Sequence, residues 1–119
     1  NGEQAIKLEA YGRSYYKKIS NITHVETYHK EGYLTVHTLQ GENIIHKSRL
    51  NDMLRNLNQH CPNTFIQCYK SILVNPYHIE AIDRRKGEIL LKNGIGVYVS
   101  SNKTIQEEIE KRIMGVDHD

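Results

Sequence analysis

Histidine is the side chain in this sequence best suited to metal binding or proton transfer, and there are seven: His24, His29, His37, His46, His60, His78 and His118. None falls into HxxxH or HExxH spacing, and none pairs with a cysteine at zinc-finger spacing. The sequence also lacks a GxSxG nucleophile elbow and a GxxxxGK[ST] phosphate loop, and its carboxylates form no recognisable acid–base pair. We therefore expect scattered surface or strand histidines, and we predict neither an enzyme nor a metal or cofactor site.

Two cysteines, Cys61 and Cys68, stand seven residues apart with Pro62 between them. This spacing is neither a CxxC pair nor a disulfide framework. We expect two reduced thiols that are buried or half-buried.

The composition is that of a globular chain, with 38% hydrophobic and 25% charged residues. A length of 119 residues suffices for a single domain with a hydrophobic core, and we expect that core to span about residues 5–113. No apolar run approaches the roughly 18 residues that cross a bilayer, and no signal peptide is visible at the start. We therefore expect a cytoplasmic protein without membrane contact. Because the sequence starts with Asn1, we also expect a fragment of a longer protein.

The net charge of +2 results from sixteen Lys and Arg residues against fourteen Asp and Glu residues. This balance permits an anionic partner without requiring one. A nucleic-acid-binding domain of this charge would have to gather its cations on one face.

Alternating apolar and polar residues predict a mainly β domain of short strands separated by turn residues. Asn93-Gly94 is the strongest hairpin signal. The predicted strands lie near residues 6–8, 14–18, 22–28, 33–39, 42–46, 65–68, 72–74, 79–83, 88–92 and 97–99.

Two segments change to helical periodicity. Four apolar residues with i, i+3, i+4, i+7 spacing predict an internal helix over residues 48–58, with Ser48 as its N-cap: Leu50, Met53, Leu54 and Leu57. Ile105, Ile109 and Ile113 share one face of a second predicted helix over residues 102–114.

The segment from Phe65 to Ile79, FIQCYKSILVNPYHI, carries a family resemblance. It resembles the central signature of the LytTR family, the LytR/AlgR/AgrA-type DNA-binding domains of bacterial response regulators. Three further features agree in order: a strand ending at Glu26, a helix opening with Ser48-Arg49-Leu50, and Val99-Ser100 before the last helix. The residues of the central segment that match the signature directly are Ser71, Leu73, Val74, Asn75 and Ile79.

The resemblance implies a stack of small antiparallel sheets, sandwich-like or barrel-like, with one internal and one C-terminal helix. It implies sequence-specific binding of double-stranded DNA by loops that enter successive major grooves, and transcription regulation as the output domain of a two-component response regulator. An upstream receiver domain, paired direct repeats in the DNA and a possible dimer on DNA belong to the same expectation. The expected DNA-binding residues are Tyr28, His29, Lys30, Gly32, Tyr69, Lys70, Ser71, Asn102 and Lys103.

The residue types suit that role, because cations can meet phosphates and polar tips can meet base edges. Each also has an ordinary structural explanation. His29 and Lys30 could be a solvated hairpin tip, Lys70 a surface lysine, and Asn102 simply an N-cap.

The sequence departs from the family where contacts with DNA are expected. Gln67 and Ser101 stand where the family often has Arg, and Tyr69 stands where His is common. These departures and the near-neutral charge leave an alternative function open, a β-rich protein-interaction or ligand-sensing module that does not bind DNA.

Overall fold

The computed structural model describes residues 4–115, and all secondary structure below lies in that range. The strands are β1 (Ala5–Ala10), β2 (Arg13–Lys18), β3 (Ile22–Thr27), β4 (Tyr33–Thr38), β5 (Asn43–Lys47), β6 (Ile66–Tyr69), β7 (Ile72–Val74), β8 (Ile79–Asp83), β9 (Glu88–Leu91) and β10 (Gly96–Tyr98). The helices are α1 (Leu50–His60) and α2 (Lys103–Gly115). The mainly β architecture predicted from alternation is thus confirmed.

The strands form three antiparallel sheets. β1 and β2 make a hairpin, β10-β9-β8 make a three-stranded sheet, and β5-β4-β3-β7-β6 make a five-stranded sheet. Consecutive strands mostly pair through short turns, as expected where antiparallel strands need only a hairpin connection. The exception is the pairing of β3 with β7 in the five-stranded sheet. This pairing brings distant parts of the chain side by side.

Two hydrophobic clusters hold these sheets and helices together. The first packs the β1–β2 hairpin and α1 against one face of the five-stranded sheet, and includes the fully buried Leu8, Val25, Met53 and Leu57. The second packs the three-stranded sheet and α2 against β6 and β7, around Cys68, Val74, Ile89 and Ile109. The β6–β7 hairpin supplies residues to both clusters, so its turn is held rigidly from two sides.

The start of α1 differs from the prediction. The helix begins at Leu50 with Arg49 as its N-cap residue, and no side chain caps it. The Ser48 hydroxyl instead donates to the carbonyl oxygen of Arg49, at 3.1 Å. The prediction of Ser48 as N-cap was therefore wrong, because its hydroxyl bonds locally to an acceptor next to it in the chain instead of the free N–H groups of the helix.

Asn75 holds the turn that follows β7. Its side-chain oxygen accepts from the N–H of Tyr77 at 3.2 Å, and its amide donates to the carbonyl oxygen of Ile22 at 3.1 Å. The side chain is buried, so both bonds satisfy groups that water does not reach. Among residues 4–115, no helix is long and apolar enough to cross a membrane.

Candidate nucleic-acid interface

The β3–β4 loop is a tight turn with an exposed tip. The N–H of Tyr28 donates to the carbonyl oxygen of Tyr33 at 3.1 Å, which closes the hairpin below the tip. Gly32 adopts a φ of 87°, a left-handed conformation that favours glycine. His29 and Lys30 are exposed, and the Lys30 ammonium lies 4.6 Å from the centre of the Tyr33 ring. The turn therefore presents an imidazole and a partly ordered cation to solvent.

The β6–β7 loop is shorter than the β3–β4 loop. β6 ends at Tyr69 and β7 begins at Ile72, which leaves Lys70 and Ser71 as the connection. The Gln67 side chain donates to the carbonyl oxygen of Lys70 at 3.2 Å, which braces the turn from within. Lys70 is exposed, as expected because burying a lysine without a partner is costly. Gln67 thus has a structural contact of its own.

The third loop leads from β10 into α2. The Asn102 side-chain oxygen accepts from the N–H groups of Thr104 and Ile105, at 2.8 and 3.2 Å, which makes Asn102 the N-cap of the helix. Because that oxygen is engaged, bidentate recognition of an adenine through both amide atoms would compete with the cap. Ser101 and Lys103 are exposed beside it, where the positive end of the helix dipole favours an anion.

Two backbone hydrogen bonds join these three loops. The N–H of Thr27, at the base of the first loop, donates to the carbonyl oxygen of Ser71 in the second, at 3.0 Å. The N–H of Ser100, in the third, donates to the carbonyl oxygen of Cys68 at 2.7 Å. The loops that carry the predicted site residues, distant in sequence, are therefore linked to one another through main-chain bonds.

A groove of about 630 Å³ runs between the first loop, the start of α1 and the β6–β7 turn. We call it the basic groove, and its cationic lining residues are Lys30, Arg49, Arg55 and Lys70. Arg55 is paired with Asp52 at 3.1 Å, and Glu31 also lines the groove. Sequence reasoning did not select Arg49 or Arg55 as site residues, because only the packing of α1 brings them beside Lys70.

The basic groove, which includes the start of α1, can hold a polyanion. The exposed lysine and arginine side chains that line the groove supply the clustered positive charge that a weakly charged domain needs for phosphate contacts. The ring of Tyr28, which lines the groove, lies with its centre 3.9 Å from that of His29, and the polar tips of both rings suit base edges or sugars. These are features of a surface that can bind a polyanion.

A separate polar cluster lies on β3 and β4. The rings of His24 and His37 stack with centres 4.0 Å apart, and His37 Nε2 lies 2.6 Å from a carboxylate oxygen of Glu26. Burial and the neighbouring His37 lower the pKa of His24 to about 3. No spacing pattern in the sequence indicated this cluster, because its members come from two strands.

Comparison with known proteins agrees with this geometry. Residues 12–110 match the LytTR family, described as the LytTr DNA-binding domain. The class of protein that this match defines is a DNA-binding domain, a class that supports a role in transcription regulation. The chain belongs to the LytTR family.

Among solved structures, the chain is similar to the LytTr DNA-binding domain of a protein from Bacillus cereus described as a methyl-accepting/DNA response regulator. The two share 22% sequence identity and superpose with a TM-score of 0.71, over 96% of this chain and 99% of the other. At that identity the likeness concerns the fold. No curated protein sequence matches the chain.

Proposed function

We propose that this domain binds duplex DNA sequence-specifically by placing its three loops in successive major grooves. The residues that make the contacts in this proposal are Tyr28, His29, Lys30, Gly32, Tyr69, Lys70, Ser71, Asn102 and Lys103. Arg49, in the basic groove, joins them as a phosphate contact. Membership of the LytTR family supports DNA as the partner, and the position of these residues on the fold supports the route by which it is bound.

The observation that carries the proposal is the pair of backbone bonds from Thr27 to Ser71 and from Ser100 to Cys68. They fix the three loops relative to one another before any partner arrives. A prepositioned surface loses less conformational freedom on binding than three independent loops would. The same bonds involve main-chain atoms only, so side chains on the loops remain available to read the DNA.

Within the proposal the loops divide their work by chemistry. Lys70 is the best-placed residue for a base edge, because it projects from a two-residue turn that is held at both ends. Lys30, Arg49 and Lys103 serve phosphates, which fix the orientation of a protein on DNA without reading its sequence. Asn102 acts first as the N-cap of α2. In this role it positions Lys103 and the free N–H groups at the start of the helix beside the DNA backbone.

We further propose that the domain is the output part of a two-component response regulator, with a receiver domain upstream. Two such domains would occupy paired direct repeats, and contacts between them would form on the DNA. The support is the family membership and the likeness to a domain described as part of a response regulator.

A salt titration tests the proposal directly. A duplex selected from a randomised pool by the purified domain would be titrated at several salt concentrations. With Lys30, Arg49 and Lys103 each meeting one phosphate, log K should fall with log salt with a slope of roughly −3. If the pool yields no enriched sequence and binding shows no salt dependence, the domain is instead a protein-interaction or ligand-sensing module.

A further inference from the structure

We propose that His24, Glu26 and His37 form a binding site for a divalent transition-metal ion of the zinc type. Each residue offers one ligand atom, and the three atoms lie within 4.8 Å of one another. In the described part of the chain, this is the one group of three such side chains that converges in this way. The site lies outside the loops assigned to DNA.

The fold assembles the cluster through a β-bulge. Ile22 pairs with Thr38 and His24 with His37, so β3 carries one extra residue, Thr23, between those two pairs. Strict alternation would place Ile22 and Val25 on opposite faces, yet both are buried in the first hydrophobic cluster. The bulge explains how both are buried, because an inserted residue moves the side chains that follow it to the opposite face of the strand. His24 and Glu26 therefore share the other face of β3.

Thr23 also orients the ring of His24. Its hydroxyl lies 3.0 Å from His24 Nδ1 and donates to the carbonyl oxygen of His37 at 3.3 Å. Because the hydroxyl has one proton, it accepts from Nδ1–H, and Nε2 of His24 keeps its lone pair. Metal-binding histidines characteristically have the second ring nitrogen fixed in this manner by an outer partner. His24 is almost completely buried, so the arrangement is protected from water.

Glu26 and His37 complete the set from a more open position. The Glu26 side chain is 41% exposed and that of His37 is 16% exposed, so an ion can reach the cluster from solvent. Two imidazole nitrogens and one carboxylate oxygen are ligands that zinc accepts, and three protein ligands leave a fourth position for water. The same set also suits Co²⁺, which serves as a spectroscopic probe, as well as other imidazole-binding divalent ions.

Metal binding requires a limited rearrangement. Ligand atoms around tetrahedral zinc lie roughly 3.3 Å apart, given Zn–N distances of about 2.0–2.1 Å. The widest separation in the cluster must therefore shrink, and the short His37–Glu26 contact must open. The two imidazole rings, which are 6° from parallel, must tilt so that both lone pairs point at one ion. These are side-chain rotations that leave the sheet intact.

An ion bound there would fasten β3 to β4 near the base of the first DNA loop. Glu26 pairs with Thr35, and the hairpin closes two residues further on at Tyr28. The metal would thus stabilise the hairpin that carries His29 and Lys30. The metal site and DNA binding are tested separately, because metal affinity is measured without DNA.

The experiment is a titration of the untagged, metal-free chain with Co²⁺ and, by competition with a chelating indicator, with Zn²⁺. Wild type should bind one equivalent and show cobalt d–d absorption without a thiolate charge-transfer band. Zinc should raise its melting temperature. Glu26→Gln and His37→Gln should each weaken zinc binding by at least about tenfold, the loss that even an outer-shell change can produce.

His60→Gln is the matched control, because His60 is a partly buried histidine on α1 outside the cluster. It should bind zinc as wild type does. Melting curves without metal establish that each variant is folded, and Glu26→Gln, at a half-exposed position, provides the readout if His37→Gln is unstable. The proposal is overturned if the zinc affinity of wild type is no higher than that of Glu26→Gln. It is also overturned if His60→Gln loses as much zinc affinity as the cluster variants do.

Discussion

The N–H of Ser100 donates to the carbonyl oxygen of Cys68 at 2.7 Å, and this bond joins residues that are 32 positions apart in the chain. It links the entry of α2 to the strand that ends at the Lys70 turn. Beside it, the buried Cys68 thiol donates weakly to the carbonyl oxygens of Ile72 and Tyr98. The junction between two of the loops proposed to bind DNA is therefore part of the second hydrophobic cluster, which contains both Cys68 and Val99.

The first prediction concerns the thiols. Burial raises the pKa of the Cys68 thiol to about 12, so its reactive thiolate is absent near neutral pH. Alkylation of the native protein should modify Cys61, which is only partly buried, well before Cys68. Unfolding in denaturant should make both react. Mass spectrometry of timed samples measures the order, and Cys61→Ser should leave one slow thiol. Equal native rates would contradict the buried position of Cys68.

The same shift predicts a dependence of stability on pH. Because the folded-state pKa lies above the ordinary value of 9.0, the Cys68 contribution to the free energy of unfolding is complete below about pH 9. It should be lost as pH rises from there toward 12. Melting temperatures of wild type and Cys68→Ala over that range test this, because the wild-type value should fall relative to that of Cys68→Ala as pH rises. A constant difference would contradict it.

The second prediction concerns Gly32. Its φ of 87° is left-handed, and a Cβ there would meet nothing within 4 Å, so only backbone strain opposes a side chain. Gly32→Ala should lower the free energy of unfolding by about 1–2 kcal/mol, as measured by denaturant titration. Gly115→Ala is the control, because its Cβ would also meet nothing and its φ is not in the left-handed range. Comparable losses in both variants would contradict the assignment of strain.

The third prediction concerns Asn102. Because its side-chain oxygen caps α2, Asn102→Ala should cost about 0.5–2 kcal/mol of stability, whereas Asn102→Asp should retain the cap. In DNA binding, Asn102→Asp should weaken affinity, because a carboxylate beside the phosphates is repelled. Thermal melts and binding titrations on the same samples separate the two effects. If Asn102→Ala is as stable as wild type, the cap does not contribute.

Much of the fold was predictable from sequence. All ten strands follow from alternation and turn residues, and α2 begins one residue after its predicted start, with the predicted Asn102 acting as cap. The three loops were placed by resemblance to the family. What local patterns could not supply were relationships across the chain. Arg49 and Arg55 line the same groove as Lys70 only because of the way α1 packs.

The histidine cluster shows the same limit in a second way. His24 and Glu26 would be expected on one face of β3 by alternation, but which face depends on the bulge at Thr23. His37 joins them through strand pairing, so no linear spacing encodes the set. The prediction of Ser48 as N-cap was wrong for a local reason. The carbonyl oxygen of Arg49 and the free N–H groups of α1 compete for the Ser48 hydroxyl, and the sequence does not decide between them.

The most direct test of the account is the affinity of Lys70→Ala for the selected duplex and its single-base variants, compared with Lys92→Ala. Both lysines are exposed and lie over a tyrosine ring, Lys70 at 5.9 Å from the ring centre of Tyr69 and Lys92 at 5.1 Å from that of Tyr77. Lys92, however, lies in the turn between β9 and β10, outside the three loops proposed to bind DNA. If Lys70 reads a base edge, its loss should cost about 1–3 kcal/mol and relax specificity at one base pair. If it meets a phosphate, affinity should fall evenly and the salt slope should shrink by about one. Lys92→Ala should bind as wild type does, and both variants should melt as wild type does. Unchanged affinity of Lys70→Ala for every duplex would contradict the placement of the β6–β7 turn in the DNA interface.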